Sequence, residues 1–153
     1  MEKKNDIRSL TLDELTSFFQ KNSLPSYKAK QVYEWLWKKS CLSFDEMTNI
    51  SLETRKLLKN KFVINHINID RFQKSNDGTI KNAIALFDDL FVESVLIPTK
   101  NRTTACVSSQ VGCSLDCEFC ATSKMDRIRN LNPDEIYDQV ATINSQSLNY
   151  YGK

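Results

Sequence analysis

The sequence predicts an α+β protein in which helices come first and strands follow. Across the first part of the chain, apolar side chains recur at the three- and four-residue spacing of amphipathic helices. From residue 66 onward, apolar and polar residues alternate, as they do in strands that bury one face. We therefore expect a helical domain over residues 1–65, a β-strand linker over 66–101, and the beginning of a second domain over 102–153.

The predicted helices are marked by start signals. "TLDELTSFFQKN" opens with Thr11 and Glu14 at the spacing of a capping box, and its apolar residues recur at helical positions. After a break at Pro25, "SYKAKQVYEWLWKKS" places Ala29 and Leu36 on one apolar face. Shorter helices are predicted at "SFDEM" and "SLETRKLLKNKF".

The predicted strands follow as a meander. "HINIDRFQ" and "IKNAIALF" flank the Asp-Gly turn of "NDGT", which is a strong hairpin signal. "LFVESVLIP", ended by Pro98, and "RTTACVSSQ" supply two further strands. A last helix is predicted from Pro133, because Asn132 is a good N-cap and acidic residues fill its first turn.

Composition limits the class of protein. The chain has 153 residues, of which 41% are apolar, and its formal net charge of +2 is too small to predict a polyanionic partner by itself. It holds no apolar run of the roughly 18 residues that cross a membrane, and "MEKKNDIRSL" lacks a signal peptide. We therefore expect a cytoplasmic protein with no membrane partner. In that reducing compartment, clustered cysteines are more often metal ligands or redox catalysts than structural disulfides.

Three of the five cysteines fall within eight residues, in "CSLDCEFC". A structural zinc site needs four ligands, and the isolated Cys41 and His66 offer no clear fourth. A [4Fe–4S] cluster held by Cys113, Cys117 and Cys120 instead leaves one iron open for a substrate or cofactor. The spacing favours iron–sulfur chemistry, with zinc as the alternative.

This spacing, with Phe119 before the last cysteine, resembles the signature of the radical S-adenosylmethionine (SAM) enzymes. The resemblance implies that SAM chelates the open iron, that an electron cleaves it to a 5′-deoxyadenosyl radical, and that Phe119 lies beside the adenine. It also implies that the motif follows the first strand of a partial (β/α) barrel. Residues 102–153 would then be the start of a truncated radical SAM catalytic domain.

The flanks, "FVESVLIPTKNRTTACVSSQVGCSLDCEFCATSKMDRIRNL", resemble the RlmN/Cfr group of adenosine methyltransferases, and "AKQVYEWLWKK" resembles that family's N-terminal domain. The resemblance implies methylation of adenosine carbon 2 in 23S rRNA and tRNA through a methyl-cysteine intermediate. It implies that residues 1–65 recognise RNA, and that an external, flavodoxin-like donor supplies electrons. By position, Cys106 falls on the family's second catalytic cysteine and Glu93 on its general base.

Two alternatives stay open: methylation at carbon 8 by the same family, and a non-catalytic module that binds zinc and RNA. The chain also departs from the family, because no cysteine follows Cys120 to carry the methyl group or to form the implied disulfide with Cys106. We expect it to be the N-terminal part of a longer enzyme and to be inactive alone.

Several other residues have plainer interpretations. Cys41 is expected to be structural. Aromatic residues of the second helix are expected in the core or, with neighbouring lysines, on an RNA-facing surface. Basic residues after the cysteine triplet are expected on a solvated face or in contact with RNA or the SAM carboxylate; they are Lys124, Arg127 and Arg129.

Overall fold

The computed structural model describes residues 4–115, 118 and 124–152. The chain divides into two compact units, Met1–Asn65 and His66–Lys153. In the described part of the chain, no helix combines the length and apolar character needed to cross a membrane. The predicted combination of helices and strands is confirmed, whereas the predicted barrel unit stays a prediction.

The first unit is helical, with one short parallel strand pair. A capping box between Thr11 and Glu14 starts the first helix, as predicted. "SFDEM" forms only one 3₁₀ turn, because the Glu46 side chain accepts hydrogen bonds from Leu42 N–H and Ser43 Oγ and the chain leaves the helical conformation at Met47. The elements are β1 (Asn5–Asp6), a 3₁₀ turn (Ile7–Ser9), α1 (Leu12–Lys21), α2 (Tyr27–Trp37), a 3₁₀ turn (Phe44–Glu46), α3 (Leu52–Lys61) and β2 (Phe62–Val63).

The helices of this unit enclose a core of their own. Phe19, Leu36 and Leu58 contribute one side chain from each helix, and all three are essentially inaccessible to solvent. Burying side chains of this size supplies about 2 kcal/mol each relative to leaving them exposed. Among the residues that the structure describes, this core cluster is drawn from residues 7–64 and includes Cys41 but not Cys113.

The first unit is therefore expected to fold without the cysteine triplet. Replacing Cys113, Cys117 and Cys120 together by serine should leave its unfolding midpoint in urea unchanged, because the described side chains of its core all come from residues 7–64. Both tryptophans lie in α2, so tryptophan fluorescence reports this unit alone. The control Phe19→Ala should lower the unfolding free energy by about 3–5 kcal/mol. A triple variant as unstable as that control would contradict the independence of this unit.

The second unit is built on a four-stranded antiparallel sheet in the order β3-β4-β5-β6. Gly78, with a φ of +88°, permits the predicted turn between β3 and β4. In the described part of the unit, a separate two-stranded pair and an α-helix follow. The elements are β3 (Asn68–Lys74), β4 (Ile80–Ala85), β5 (Phe91–Pro98), β6 (Thr103–Cys106), β7 (Gln110–Val111), β8 (Arg129–Asn130) and α4 (Pro133–Tyr151). The sheet thus contains strands from both sides of residue 101, where the sequence analysis placed a domain boundary. The division into a linker and a catalytic domain at that residue stays a prediction.

Helix α4 covers one face of this sheet. Ile80, Leu96 and Ile143 form an apolar cluster at the contact. Beside it, Asn82 exchanges two hydrogen bonds with Gln146, at 2.9 and 2.8 Å, in a buried setting. An unpaired amide buried at this contact would cost free energy. The two bonds therefore favour the one position of α4 on the sheet at which Asn82 and Gln146 face each other. The predicted catalytic residue Glu93 lies on the opposite face of the sheet.

Candidate active site

The predicted base, Glu93, lies on the face of the sheet that α4 does not cover. Along β5, exposed and buried residues alternate, so Val92 and Ser94 point toward the core while Glu93 points away from it. In the register of β4 with β5, Glu93 is opposite Ala83. The small side chain of Ala83 leaves space beside the carboxylate.

The second predicted catalytic residue, Cys106, lies on the same face. Cys106 ends β6 and pairs with Val95, two residues after Glu93. Directly paired residues share a face, and diagonal neighbours of this kind are about 7–8 Å apart. Cys106 is an exposed free thiol. The structure therefore places a carboxylate and an accessible thiol on one surface.

A cleft of about 290 Å³ runs from Glu93 toward the cysteine loop. Phe91 and Glu93 line it from β5, while Gly112, next to Cys113, lines it from the loop. Its lining is completed by Arg71, Ala83, Val92, Ser108, Gln110 and Met125. Glu93 and the residue that precedes the cysteine triplet thus border the same space.

A second cleft of about 320 Å³ borders the other side of Glu93 and includes Lys81. The Lys81 ammonium lies 2.7 Å from Glu93 Oε1, and both side chains are about half exposed, at 51% and 56%. This is a short, charge-assisted hydrogen bond.

The segment after β6 is held in place by a buried side chain of α4. Gln139 accepts a hydrogen bond from Ser108 N–H at 2.9 Å and donates one to Ser108 O at 3.0 Å. Ser108 Oγ in turn donates to the Glu93 carbonyl at 2.8 Å. Through Ser108, these bonds connect α4, the segment between β6 and β7, and the backbone of Glu93.

The loop that carries the triplet is closed at its base by β7 and β8. Gln110 pairs with Asn130 and Val111 with Arg129. Beyond them, Cys113 N–H donates to Met125 O at 3.1 Å. Backbone pairing therefore brings together residues on both sides of the triplet.

Gly112 allows this close pairing. Its φ is +71°, and a Cβ added there would lie 2.0 Å from the carbonyl oxygen of Asp126. No side chain fits at that distance without a shift of the backbone. A glycine next to Cys113 is therefore a steric requirement of the loop base.

Arg129 connects the loop base to the rest of the unit. Its guanidinium binds Asp88 at 2.8 and 3.0 Å and Glu135 at 2.8 and 2.8 Å, bidentate on each side. These contacts raise the pKa of Arg129 further above its usual range, and the Arg129 hydrogen bond lowers the pKa of Asp88. The sequence prediction of a solvated face or an RNA or SAM contact is wrong for Arg129, because its partners are carboxylates of this unit. Lys124 and Arg127 are exposed.

Of the predicted cluster ligands, Cys113 lies in the described part of the chain, and Cys117 and Cys120 lie outside it, as does Phe119. Cys113 is a partly exposed free thiol whose Sγ accepts Leu115 N–H at 3.4 Å. Amide donors to sulfur are a usual feature of iron–sulfur ligation, so this residue fits the implied group. No disulfide links the described cysteines.

The remaining expectations concern the helical unit. Cys41 is buried, and desolvation raises the pKa of its thiol to about 11, as expected for an inert packing residue. Tyr33, Trp35 and Trp37 pack partly against the core, whereas Tyr27 is exposed. Lys39 Nζ lies 3.7 Å from the centre of the Trp35 ring.

Comparison with known proteins decides the family. Residues 5–64 match the ribosomal RNA large subunit methyltransferase N-terminal domain. The chain is 64% identical over 152 residues to the probable dual-specificity RNA methyltransferase RlmN of Christiangramia forsetii, covering 99% of this chain and 43% of that protein. It is 58% identical over 148 residues to the same-named protein of Flavobacterium johnsoniae, covering 97% and 42%. This chain is an RlmN-type N-terminal segment.

A solved structure agrees with this family. The crystal structure of a radical SAM methyltransferase from Sphaerobacter thermophilus matches with a TM-score of 0.81 and 32% identity, covering 97% of this chain and 44% of that one. The predicted family resemblance is confirmed. The RlmN-type chain spans less than half the length of these relatives, 43% for the Christiangramia forsetii protein.

Sequence reasoning missed several residues of the site in this RlmN-type segment. Lys81 and Gln139 reach it from strands and helices whose register no local pattern specifies. The alternating burial along β4 places Lys81 on the exposed side of that strand, but such a pattern does not show that it meets Glu93. The sequence shows a glycine before Cys113 but not why a glycine is needed there. The reason is the nearby backbone of Asp126, on the other side of the loop.

Proposed function

We propose that this chain is the N-terminal part of a radical SAM RNA methyltransferase that modifies carbon 2 of adenosine in 23S rRNA and tRNA. The observation that carries the proposal is the cleft that Glu93 shares with Gly112, beside Cys113. The names of the similar proteins, RNA methyltransferase and radical SAM methyltransferase, support the reaction class.

Cys113, Cys117 and Cys120 are proposed to hold a [4Fe–4S] cluster, with Phe119 beside the adenine of SAM. When bound, the cluster and SAM supply a carbon radical that can attack a ring carbon with no nucleophilic character. The backbone bonds between Cys113 and Met125 and between Val111 and Ile128 fix the backbone at Cys113, next to Gly112 in the lining of the cleft. The strand and helix around this loop are proposed to be the first unit of the (β/α) barrel.

Glu93 is proposed to be the general base that accepts the proton from the ring carbon. A base must lie within hydrogen-bond reach of the proton that it removes. Glu93 stands on the sheet face opposite α4, with a small alanine beside it on β4, and it lines two clefts. This gives its carboxylate access to a planar base.

Cys106 is proposed to supply the thiol that resolves the covalent RNA adduct. Its sulfur is exposed on the sheet face of Glu93. The Cys106 thiolate is proposed to attack the sulfur of the carrier cysteine in the rest of the protein, so that a disulfide forms and the bond between that sulfur and the methyl-derived carbon breaks as the ring proton leaves to Glu93. Both events concern one adduct, and the pairing of β5 with β6 puts the two groups on one surface.

The partners proposed for the whole protein are 23S rRNA, tRNA and an external flavodoxin-like electron donor, in the cytoplasm. The helical unit is proposed to contact RNA. Exposed Tyr27 and Lys39, which stacks on Trp35, offer the combination of aromatic and cationic groups that RNA-binding surfaces use.

The cofactor is tested on this chain by anaerobic reconstitution with iron and sulfide. We expect the visible absorption of an iron–sulfur cluster, lost in Cys117→Ala and retained in Cys41→Ala, which removes a buried thiol far along the chain from the triplet. One zinc bound per chain with no uptake of iron would overturn the proposal.

The reaction is tested by joining this chain to the remaining part of the Christiangramia forsetii relative. With SAM, a reductant and unmodified rRNA, mass analysis of nucleosides should show adenosine methylated at carbon 2. Glu93→Gln should lower turnover about 10²–10⁴-fold, the usual contribution of a general base. Methylation at carbon 8, or none with the cluster loaded, would contradict the proposed specificity or reaction.

A further inference from the structure

In the part of the chain that the structure describes, Lys81 is a cation that contacts the proposed base. It extends from β4 on the face shared by Glu93, and its ammonium lies 2.7 Å from Glu93 Oε1. In the sheet register Lys81 is opposite Val95, which pairs on its other side with Cys106. Lys81 on β4, Val95 on β5 and Cys106 on β6 therefore form one row across the sheet, and this row lies next to Glu93.

We propose that Lys81 is a positioning residue for Glu93 in the methylation reaction. The inference rests on the proposed function, because it assumes that Glu93 is the base. By engaging Oε1, Lys81 restricts rotation of the carboxylate and directs Oε2 to receive the proton.

The other charged and titratable groups near Glu93 do not take this part. Arg71, from β3, lines both clefts, but its Nε lies 3.8 Å from Asp70 Oδ2 on its own strand. Cys106, from β6, is a diagonal neighbour, and a thiol cannot supply a positive charge. Ser108 binds the Glu93 carbonyl and leaves the carboxylate to Lys81.

The pair contributes little to folding in the free protein. Both side chains are about half exposed, and solvent-exposed ion pairs are strongly screened. A bound RNA base excludes water from the two clefts, and the attraction between the two charges then rises as the local dielectric constant falls. Lys81 is thus expected to act in the complex with RNA, where the carboxylate must be held in one orientation.

The test uses the joined full-length protein with its cluster loaded. Lys81→Gln should lower kcat about 10-fold or more and change the KM for RNA less than about twofold, because it disturbs orientation rather than binding. Lys81→Arg should recover most of the activity, since it keeps the charge and the donor. Lys74→Gln is the matched control: it removes one positive charge from β3, where Lys74 lies over the Tyr150 ring, and should leave kcat unchanged.

A double variant separates positioning from other roles. Lys81→Gln combined with Glu93→Gln should be no slower than Glu93→Gln alone, because Lys81 acts only through Glu93. Independent, additive losses would overturn the inference, and so would a raised KM with unchanged kcat, which indicates a phosphate contact. If Glu93→Gln lowers kcat and Lys81→Gln does not, the inference fails alone. If Glu93→Gln is fully active, the assigned base and this inference both fail.

Discussion

Replacing Gly112 with alanine is expected to destabilise the second unit and to abolish loading of the iron–sulfur cluster. The new Cβ would lie 2.0 Å from Asp126 O and 2.7 Å from its carbonyl carbon, and both belong to backbone. Relief of the clash requires β7 and β8 to separate, which displaces Cys113. We expect a loss of about 4 kcal/mol in unfolding free energy, which is above the range that most single substitutions give.

This prediction is measured by hydrogen exchange and by iron content after reconstitution. Exchange at Ile128 N–H and Cys113 N–H, which bond across the loop base, should become fast. Gly152→Ala is the matched control, since Gly152 has a φ of +68° but no atom within 4 Å of the added Cβ. It carries the backbone cost of about 1–2 kcal/mol without the clash. Normal iron loading in Gly112→Ala would show that the loop base does not position Cys113.

Replacing Arg129 with methionine is expected to lower the unfolding free energy of the second unit by about 3 kcal/mol. The substitution leaves the carboxylate of Glu135, whose side chain is 3% exposed, without its guanidinium partner. It also removes the hydrogen bonds that join β8 to Asp88, between β4 and β5, and to Glu135, in the first turn of α4. The effect is measured by unfolding in urea, with hydrogen exchange of the β4 and β5 backbone amides as the signal.

The control for this variant is Arg71→Met, which removes an arginine whose side chain is 82% exposed. It should change stability by less than about 1 kcal/mol. If both variants have the same stability, Arg129 does not hold the loop base.

The effect of Arg129 should also depend on pH. Its hydrogen bond keeps the pKa of Asp88 below the usual value for an aspartate. A carboxyl group with a lowered pKa in the folded state stabilises at pH values above its unfolded pKa of about 4, and this contribution is lost as the pH falls through the folded value. The difference between parent and Arg129→Met should therefore be full near neutral pH and shrink below about pH 4. An unchanged difference at pH 3 would contradict the Asp88 pairing.

The sequence by itself determined the features that depend on neighbouring residues. The capping box of Thr11 and Glu14 and the alternation along β5 were readable, because the groups involved lie within a few residues of one another. The spacing of the cysteine triplet indicated its chemistry for the same reason, since three thiolates in one loop can share one inorganic group. The family followed from these local patterns together.

Only the tertiary structure decided how these pieces meet. The contact of Lys81 with Glu93 depends on strand register, and the contact of Arg129 with Asp88 joins residues 41 positions apart. Sequence patterns predicted a solvated or ligand-binding arginine, because a local pattern carries no information about which distant carboxylates will face it. The steric requirement for Gly112 likewise arises across the loop. Such contacts form when sheet pairing and helix packing bring distant backbone together, so the geometry of the site is a property of the folded unit.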